Sequence, residues 1–427
     1  MTETRPSLYN EKKALSVGKG TFMLKLYNTF GRRFEPFRTD GKKQATIFTC
    51  GPSVYQRAHI GNFRTFLFED ILVRYLTYSG WQVRRGMAVT DIEDKAIREA
   101  VKRGITVTRL TDANIVQFVR EMKLLGMKIP EHMPRASACV DESVRIIRTL
   151  MRKGIAYEHG GNVYFDPLKV KGFGRLFGLD MKRWPKTKRR FHKDTYPGIQ
   201  WNYGDFILWH GCEISEAACW DTEIGSGRPS WNVQDPSMVM KYFDGTLSAF
   251  CGGSDNLYRH HDYSLAILEA VRPYPMARFW MHGAHLFVNG QKMSKSKGNI
   301  LYTDSLMKKG YTPREIRFFL MYGHYRKKRN YADIVMQVTA QKLRDLRVCV
   351  ASIRKKAGNA GPADSKISRD LKAAFVSAMD NDMQVKDAFE GIRNILQDRD
   401  VKTLVPSKAA GIIKTLRKID EVLQVIF

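Results

Sequence analysis

The stretch from residue 45 to residue 75 constrains the fold of this chain more than any other. It begins with a short apolar run, residues 45–50, that is typical of a buried strand and that a Gly-Pro pair ends. After the turn at residues 59–62 (HIGN), apolar residues recur every three or four positions as far as Tyr75, which predicts an amphipathic helix. Such a strand, turn and helix open a doubly wound nucleotide-binding sheet. We therefore predict an α/β fold with a parallel, Rossmann-like sheet.

Polar residues follow both of the first two predicted strands. His59 lies in the turn where a phosphate would bind, although a histidine directly before a helix also commonly caps it or packs in the core. The second strand, residues 81–89, ends at Thr90 and the acidic run that follows it. Because ligands bind at the carboxyl ends of parallel strands, these residues are candidates for a site, with capping of the next helix as the alternative.

The formal charge predicts a polyanionic partner. The 427 residues carry 71 Lys and Arg against 43 Asp and Glu, a net charge of +28. Folding does not require such a charge, because self-repulsion opposes compaction. Binding of RNA or DNA through its phosphates explains the charge directly, and a basic bias of the whole organism is the alternative. Residues 182–190 are a strongly basic stretch that either contacts a nucleic acid backbone or forms a solvated insertion.

The cysteines and the N-terminus predict a cytoplasmic location. The six cysteines form no CxxC pair and show no regular spacing, which favours a reducing compartment over a disulfide scaffold. The first twenty residues are polar and lack the apolar core of a secretory signal. The sequence contains no apolar run of 18 residues, so we expect no membrane partner.

Residues 292–298, with the sequence KMSKSKG, predict a second phosphate-binding element. Three lysines, two serines and a glycine make a cationic loop rich in small donors, and Gly298 permits close approach of the backbone. A lysine run is more often only a solvated surface, so this interpretation depends on the rest of the chain. Residues 277–288 read as the last strand of the core sheet, leading into this loop.

From Tyr331 onward the pattern becomes helical. A long amphipathic segment is followed by a linker rich in Gly, Ala and Pro, and then by amphipathic segments near residues 367–379, 385–397 and 408–426. We predict a C-terminal α-helical bundle and a domain boundary close to residue 330. The two predicted domains are a core at residues 1–330, with an insertion at roughly 105–225, and a bundle at residues 331–427.

Seven blocks, in order, resemble the cysteinyl-tRNA synthetases, which are class I aminoacyl-tRNA synthetases. They are TCGPSVYQRAHIGNFRTF (49–66), TDIEDKAI (90–97), DFILW (205–209), GRPSW (227–231), GGSD…HH (252–261), KMSKSKGN (292–299) and FFLMYGHYRKKRNY (318–331). The resemblance runs collinearly from about residue 22 to the end. It implies a class I synthetase core with a doubly wound parallel sheet and an insertion, followed by a helical bundle on the anticodon side that binds tRNA.

The resemblance implies roles for several residues at the ATP site. His59 and Asn62 occupy the two histidine positions of the HIGH motif, with Gly61 between them, and Asn62 is a common variant. Lys292 and Lys295 belong to the KMSKS loop and are expected to neutralise charge on the β- and γ-phosphates. Asp255 is expected to contact the adenosine. ATP and Mg²⁺ are the implied cofactors, because the family activates its amino acid on ATP phosphates.

The amino-acid pocket is where the sequence departs from the family. The resemblance implies binding of the substrate by Cys50, Trp231 and Thr90, and selection of the cysteine thiolate by zinc, which family members hold with two cysteines, a histidine and a glutamate. Cys50 and His260 stand at two of these positions, but Asp235 replaces the second cysteine and Ser264 the glutamate. Zinc therefore stays open, with a site of Cys50, Asp235 and His260 as one possibility and an amine contact for Asp235 as another.

The resemblance implies a monomeric cysteine–tRNA ligase that activates cysteine with ATP and transfers it to tRNA. A paralogue that activates another amino acid or acylates a different acceptor is the first alternative. A non-catalytic RNA-binding relative is the second, although intact HIGN and KMSKS motifs argue against it. Family members usually continue beyond the bundle into a small mixed domain that reads the anticodon. This sequence ends at Phe427, so we expect weaker anticodon discrimination.

Overall fold

The computed structural model describes residues 23–39, 43–182, 205–213, 217–294, 297–397 and 403–427. Its strands are β1 (Lys25–Asn28), β2 (Arg33–Pro36), β3 (Gln44–Thr49), β4 (Gln82–Met87), β5 (Ala156–His159), β6 (Asn162–Phe165), β7 (Phe206–Gly211), β8 (Gly227–Pro229), β9 (Leu247–Gly253), β10 (Ala277–Gly283), β11 (Leu286–Val288), β12 (Gln291–Lys292) and β13 (Arg329–Tyr331). Its α-helices are α1 (Ile60–Tyr78), α2 (Asp94–Arg103), α3 (Val107–Leu124), α4 (Val140–Arg152), α5 (Trp231–Tyr242), α6 (Asp262–Val271), α7 (Thr303–Lys308), α8 (Pro313–Met321), α9 (Asp333–Ala357), α10 (Lys366–Asp380), α11 (Val385–Gln397) and α12 (Pro406–Leu423).

A parallel sheet with the strand order β10-β9-β3-β4 forms the centre of the fold. Strand β9 is buried along its whole length, as expected for a strand covered by helices on both faces. The chain places β4 on one side of β3 and returns to place β9 and β10 on the other. The order of strands therefore reverses beside β3, as in a doubly wound sheet. The predicted α/β class with a parallel sheet is confirmed.

A second, antiparallel sheet with the order β5-β6-β7-β8 is inserted between the two halves of the parallel sheet. Cys212, just beyond β7, forms a disulfide with Cys219, a pairing that the irregular spacing of the cysteines does not predict. Two cysteines without a CxxC pattern meet here because the chain turns back between β7 and β8. Residues 183–190 of the predicted basic stretch lie outside the described residues.

The predicted strand at residues 277–288 is two strands in different sheets. Strand β10 ends at Gly283, and β11 pairs instead with β12 and β13. At the break, Ala284 donates its backbone N–H to Tyr325 O at 2.8 Å, and its own carbonyl accepts from Arg64 Nε at 3.3 Å. The backbone groups that would continue the central sheet are therefore bonded elsewhere. Apolar residues lie on both sides of the break, and the notion of a single strand across residues 277–288 rests on them.

The C-terminal region is helical, as predicted. Helices α9 to α12 pack against one another, and α12 also packs against α1. One hydrophobic core joins residues on both sides of residue 330, including Leu26, Leu72, Leu343 and Leu416. The division into two domains at residue 330 stays a prediction. No helix among the described residues is long and apolar enough to cross a membrane.

Asp382, between α10 and α11, ties the helical region to the sheet side of the fold. Its buried carboxylate accepts from the backbone N–H of Tyr27 on β1 at 2.9 Å and from the Tyr325 hydroxyl at 2.8 Å. The Arg326 guanidinium donates to it twice, at 2.8 and 2.7 Å. Bonds from an ionised partner are the stronger class of hydrogen bond, and a buried carboxylate needs such donors.

Candidate active site

The carboxyl ends of the four parallel strands meet at one edge of the sheet. Cys50 directly follows β3, Thr90 lies just beyond β4, Asp255 follows β9 and His285 follows β10. The reversal in strand order lies between β3 and β9 at this edge. A doubly wound sheet binds its ligand in the crevice outside such a reversal. The edge therefore brings candidate residues together that lie far apart in the sequence.

His59 is the N-cap of α1, and its ring is fixed by the helix that it begins. Its Nδ1 accepts hydrogen bonds from the backbone N–H groups of Gly61 and Asn62, at 3.1 and 3.3 Å. The Asn62 side chain accepts from the His59 N–H at 3.0 Å, which completes a capping box. Burial lowers the pKa of His59. The neutral ring therefore carries its proton on Nε2, the nitrogen able to donate to a phosphate oxygen.

The lysine loop packs directly on the histidine turn. A Cβ atom on Gly61 would lie 2.4 Å from Met293 Cε, so the glycine leaves room for the methionine side chain in this position. Beyond the loop, the carbonyl of Leu301 accepts from the Ile60 N–H at 3.0 Å. The two motifs are therefore in contact. Lys295 lies outside the described residues, so its predicted position on the phosphates stays a prediction.

Asp255 lies at the lysine-loop side of the site. Its Oδ2 is 3.9 Å from Lys292 Nζ, and its Oδ1 is 3.8 Å from His285 Nε2. The Asp255 and Lys292 side chains are 50% and 60% exposed, so both can reach a ligand from solvent. A carboxylate accepts hydrogen bonds from hydroxyl groups, whereas an ammonium binds phosphate.

Beside this half-open region, four buried side chains converge: Cys50, Asp235, His260 and His261. Their ligand atoms all lie within 4.8 Å of one another. Cys50 Sγ is 3.2 Å from Asp235 Oδ2 and 2.8 Å from His261 Nε2. His260 Nε2 is 2.9 Å from the same Asp235 oxygen. Burial raises the pKa of the Cys50 thiol well above its usual range, and the nearby Asp235 carboxylate raises it further.

Local backbone geometry explains how two consecutive histidines face one centre. Residues Leu257–His261 form a π-helical turn, which is wider than an α-helical turn and is frequent at functional sites. Gly252, on β9, provides the space for the second ring, because a Cβ there would lie 2.5 Å from His261 Cε1. The resemblance to the family pointed to His260 alone as a ligand. The doublet itself was the available signal for His261.

The cluster fits a zinc ion. One thiol sulfur, two imidazoles and one carboxylate are all zinc ligands. Ligand atoms around a tetrahedral zinc are about 3.5 Å apart, given metal–ligand bonds of about 2.0–2.3 Å, so the cluster has a suitable size. Ser264, on α6, is buried, and its hydroxyl has no hydrogen-bond partner within the described part of the chain. The predicted residues Cys50, Asp235 and His260 therefore come together, and His261 joins them.

The two remaining substrate candidates differ in accessibility. The Trp231 ring, at the start of α5, stacks on His260 with a centroid distance of 3.9 Å and an interplanar angle of 3°. Trp231 is 40% exposed, so it covers the histidine from the solvent side. Thr90 is buried, and its carbonyl accepts from the Val54 N–H at 3.1 Å. Both lie at the same sheet edge, where their predicted contacts with substrate stay predictions.

Comparison with known proteins identifies the family. The model of the class I (C) tRNA synthetase catalytic domain matches residues 36–341. This chain belongs to that family. It is 33% identical over 418 residues to a cysteine–tRNA ligase of Chlamydia pneumoniae, covering 94% of this chain and 86% of the relative. A cysteine–tRNA ligase of Leptospira interrogans is 34% identical over 331 residues, covering 77% and 70%.

Solved structures of other class I synthetases share the fold. Methionyl-tRNA synthetase of Mycobacterium tuberculosis, in complex with methionyl-adenylate, matches with a TM-score of 0.62 at 15% identity and covers 90% of each chain. The leucyl enzyme agnB2 LeuRS of Agrobacterium radiobacter K84, in a ternary complex with tRNA, matches with a TM-score of 0.63 at 13% identity, covering 91% of this chain and 84% of its own. At such low identities the likeness supports the class I fold alone.

Proposed function

We propose that this chain is a cysteine–tRNA ligase, which activates cysteine with ATP and transfers it to tRNA. One observation carries the proposal: the contacting histidine turn and lysine loop lie at the same sheet edge as a buried cluster with a thiol and two imidazoles. Two relatives at 33% and 34% identity bear the name cysteine–tRNA ligase. The half-open region suits a triphosphate, and the buried cluster suits a small soft ligand beside it.

In the ATP region, we propose that the side chains align the phosphates of ATP and neutralise their charge. His59 Nε2–H and the N-terminus of α1 would bind phosphate oxygens, with Gly61 allowing close approach of the backbone. Lys292 and Lys295 would stabilise the charge that develops on the β- and γ-phosphates, and Asp255 would accept hydrogen bonds from the adenosine. Mg²⁺ would be bound by the phosphates, which carry most of the negative charge.

The first reaction needs positioning more than proton transfer. A carboxylate oxygen of cysteine attacks the α-phosphorus of ATP. The bond between the α-phosphorus and the oxygen that bridges it to the β-phosphorus breaks, and pyrophosphate leaves. The carboxylate is already nucleophilic, so no general base is required. The residues of the histidine turn and the lysine loop act by holding the phosphates in line and by neutralising the leaving group.

In the buried cluster, Cys50, Asp235 and His260 would hold zinc. When bound, the ion supplies a soft Lewis acid that prefers a thiolate to a hydroxyl group and so favours cysteine over serine. The chain's own contribution is a dry, pre-arranged set of donors, covered by Trp231. Thr90 would complete the pocket for the rest of the amino acid.

The second reaction uses tRNA. A hydroxyl of the terminal ribose attacks the carbonyl carbon of the adenylate, the bond to the phosphate oxygen breaks, and AMP leaves with the hydroxyl proton. The net charge of +28 supports binding of a large polyanion, and helices α9 to α12 are the proposed anticodon-side surface. We also propose that the chain works as a monomer in the cytoplasm, where it meets tRNA.

Pyrophosphate exchange into ATP tests the function. The purified chain is assayed with each of the twenty amino acids, and then for acylation of total tRNA with the amino acid that supports exchange. We expect exchange with cysteine alone, followed by acylation of tRNA. Exchange without acylation would point to a different acceptor, and no exchange with any amino acid would refute the proposal.

A second candidate, activation of another amino acid, is favoured by one observation. Asp235 places a carboxylate, rather than a second thiolate, within 3.2 Å of Cys50 Sγ. A carboxylate can pair with an amine of a different substrate. Exchange that depends on an amino acid other than cysteine would support this candidate.

A further inference from the structure

We propose that His261 is a ligand of the metal ion, in a set of Cys50, Asp235, His260 and His261, and that His282 and Thr29 are positioning residues that orient it. The inference rests on the metal site of the proposed function but not on the identity of the amino acid. It assigns a ligand that residue-by-residue comparison with the family does not provide. It also gives the ion a fourth protein ligand, although Ser264 stands at the position of the family's glutamate.

The His261 ring lies where a ligand of the ion would lie. The residue is fully buried, and its Nε2 lies 2.8 Å from Cys50 Sγ. The ring fits there only because Gly252 has no side chain, as a Cβ would lie 2.9 Å from Nε2 and 3.4 Å from Cys50 Sγ. The ring therefore fills the space between Gly252 on β9 and the Cys50 thiol. Its Nε2 faces the thiol, as the nitrogen of a second ligand of the same ion would.

A chain of hydrogen bonds behind the ring orients it. His261 Nδ1 is 2.8 Å from His282 Nε2, and His282 Nδ1 is 2.9 Å from Thr29 Oγ1. Thr29 is itself held by β10, because its N–H donates to Trp280 O at 2.8 Å. A histidine that binds a metal through one nitrogen carries its proton on the other and donates it to a fixed acceptor. His282 Nε2 is such an acceptor.

Coordination of a metal by His261 fixes the protons along this chain of hydrogen bonds. With metal on His261 Nε2, the Nδ1–H donates to His282 Nε2, and the His282 Nδ1–H donates to Thr29 Oγ1. The rival arrangement reverses every bond, so that His261 Nε2–H donates to the Cys50 sulfur and cannot bind a metal. The two arrangements share their distances and differ in whether His261 coordinates the ion.

The charge of the four side chains also suits a divalent cation. A thiolate and a carboxylate contribute two negative charges, and two neutral imidazoles contribute none, so the set balances a divalent cation. Cys50, Asp235, His260 and His261 are all at most 7% exposed. An uncompensated charge is costly in such a buried position. A neutral centre avoids that cost.

Zinc binding to the purified full chain tests the inference, measured by competition with a chromophoric chelator. We expect His282→Gln to weaken zinc binding by about 10–100-fold, as for other outer ligand-orienting residues. We expect His261→Gln to weaken it by more than about 100-fold, because it removes a ligand as well as its support. His159→Gln, at an exposed histidine of β5, and Ser264→Ala are matched controls that should leave the affinity unchanged.

X-ray absorption at the zinc edge of the unmutated chain keeps the test independent of folding defects. We expect one sulfur ligand and two imidazoles, and one imidazole fewer in His261→Gln. A spectrum with one imidazole, or a His261→Gln variant with unchanged spectrum and affinity, would establish the rival arrangement and overturn the inference. Unmutated protein that binds no zinc would also overturn it. Two-imidazole zinc in a protein that activates no cysteine would refute the proposed function and leave this inference standing.

Discussion

The two halves of the candidate site are built in opposite ways. The ATP half consists of a helix N-terminus and a loop, and its charged side chains Asp255 and Lys292 are 50% and 60% exposed. In the cluster half, the His260 and Asp235 side chains are each 2% exposed, and His261 is fully buried. The ATP half binds its ligand through charged side chains that are accessible to solvent. The cluster half binds its ligand through buried side chains whose positions are fixed before the ligand binds.

This difference follows from what each half must recognise. A triphosphate carries several negative charges, and cationic side chains recognise it through that charge. A thiol differs from a hydroxyl by one atom, and an apolar pocket distinguishes such groups weakly. Selection therefore needs fixed ligands with a chemical preference for sulfur. We expect changes in the ATP half to reduce catalysis with any amino acid, and changes in the cluster half to act on the choice of amino acid.

The largest effect should come from the lysine loop. Lys295→Ala should lower cysteine-dependent pyrophosphate exchange by about 10²–10³-fold, because it removes charge stabilisation from the leaving group. Binding of tRNA, measured by filter retention, should be retained. Lys102→Ala, at an exposed lysine near the end of α2, is the control and should change neither. Equal loss of exchange and tRNA binding would mean that the loop serves as part of the RNA surface.

Removal of metal should separate the two halves. Dialysis against a chelator should lower cysteine-dependent exchange by about 10–100-fold, while calorimetry shows unchanged binding of ATP. Restored activity on adding zinc would attribute the loss to the ion. Weakened ATP binding in the zinc-free protein would contradict the separation of the two halves. Full activity of the zinc-free protein would exclude a role for zinc.

The contact between Gly61 and Met293 should have an intermediate effect. Gly61→Ala places a methyl group against Met293 Cε and should push the loop outward, lowering exchange by about tenfold through misplacement of the lysines. Met293→Ala removes the clash, so the double variant should regain activity relative to Gly61→Ala. A double-mutant cycle measures this coupling. Additive losses would show that the two motifs act independently.

The smallest effect should come from Trp231. Trp231→Ala removes a stacked pair worth about 0.5–1.5 kcal/mol, so the KM for cysteine should rise by roughly 2–12-fold. Trp231→Phe preserves a ring over His260 and should have less effect. The KM for ATP should stay constant in both variants. A rise in the KM for ATP would place Trp231 in the other half of the site.

The ATP half was the more predictable from sequence, because its motifs are contiguous. Residues 59–62 encode both the turn and the helix start, and the 385–397 segment shows how well an amphipathic pattern marks a helix. The cluster half depends on three distant segments and on one irregular turn. Adjacent residues in an α-helix point about 100° apart, so nothing in the pattern places His261 beside His260 until the π-helical turn is known.

Two further differences have similar causes. Residues 277–288 are mostly apolar on both sides of the break, and only the tertiary bonds of Ala284 show that the chain changes sheets there. Cys212 and Cys219 pair because the strands β7 and β8 bring the chain back on itself. Local patterns record which residues are buried, whereas these features depend on which elements become neighbours.

The carboxylate of Asp382 has a consequence for how the molecule transmits force. Asp382 lies at the α10–α11 junction, and its carboxylate accepts hydrogen bonds from the first strand and from the segment after α8. A load applied to the helices by a large bound ligand therefore reaches β1 through short, charge-assisted bonds rather than through a flexible hinge. Separating the part before residue 330 from the part after it would remove Tyr27, Tyr325 and Arg326 as donors to the buried Asp382 carboxylate. We therefore expect both parts to melt in a single transition.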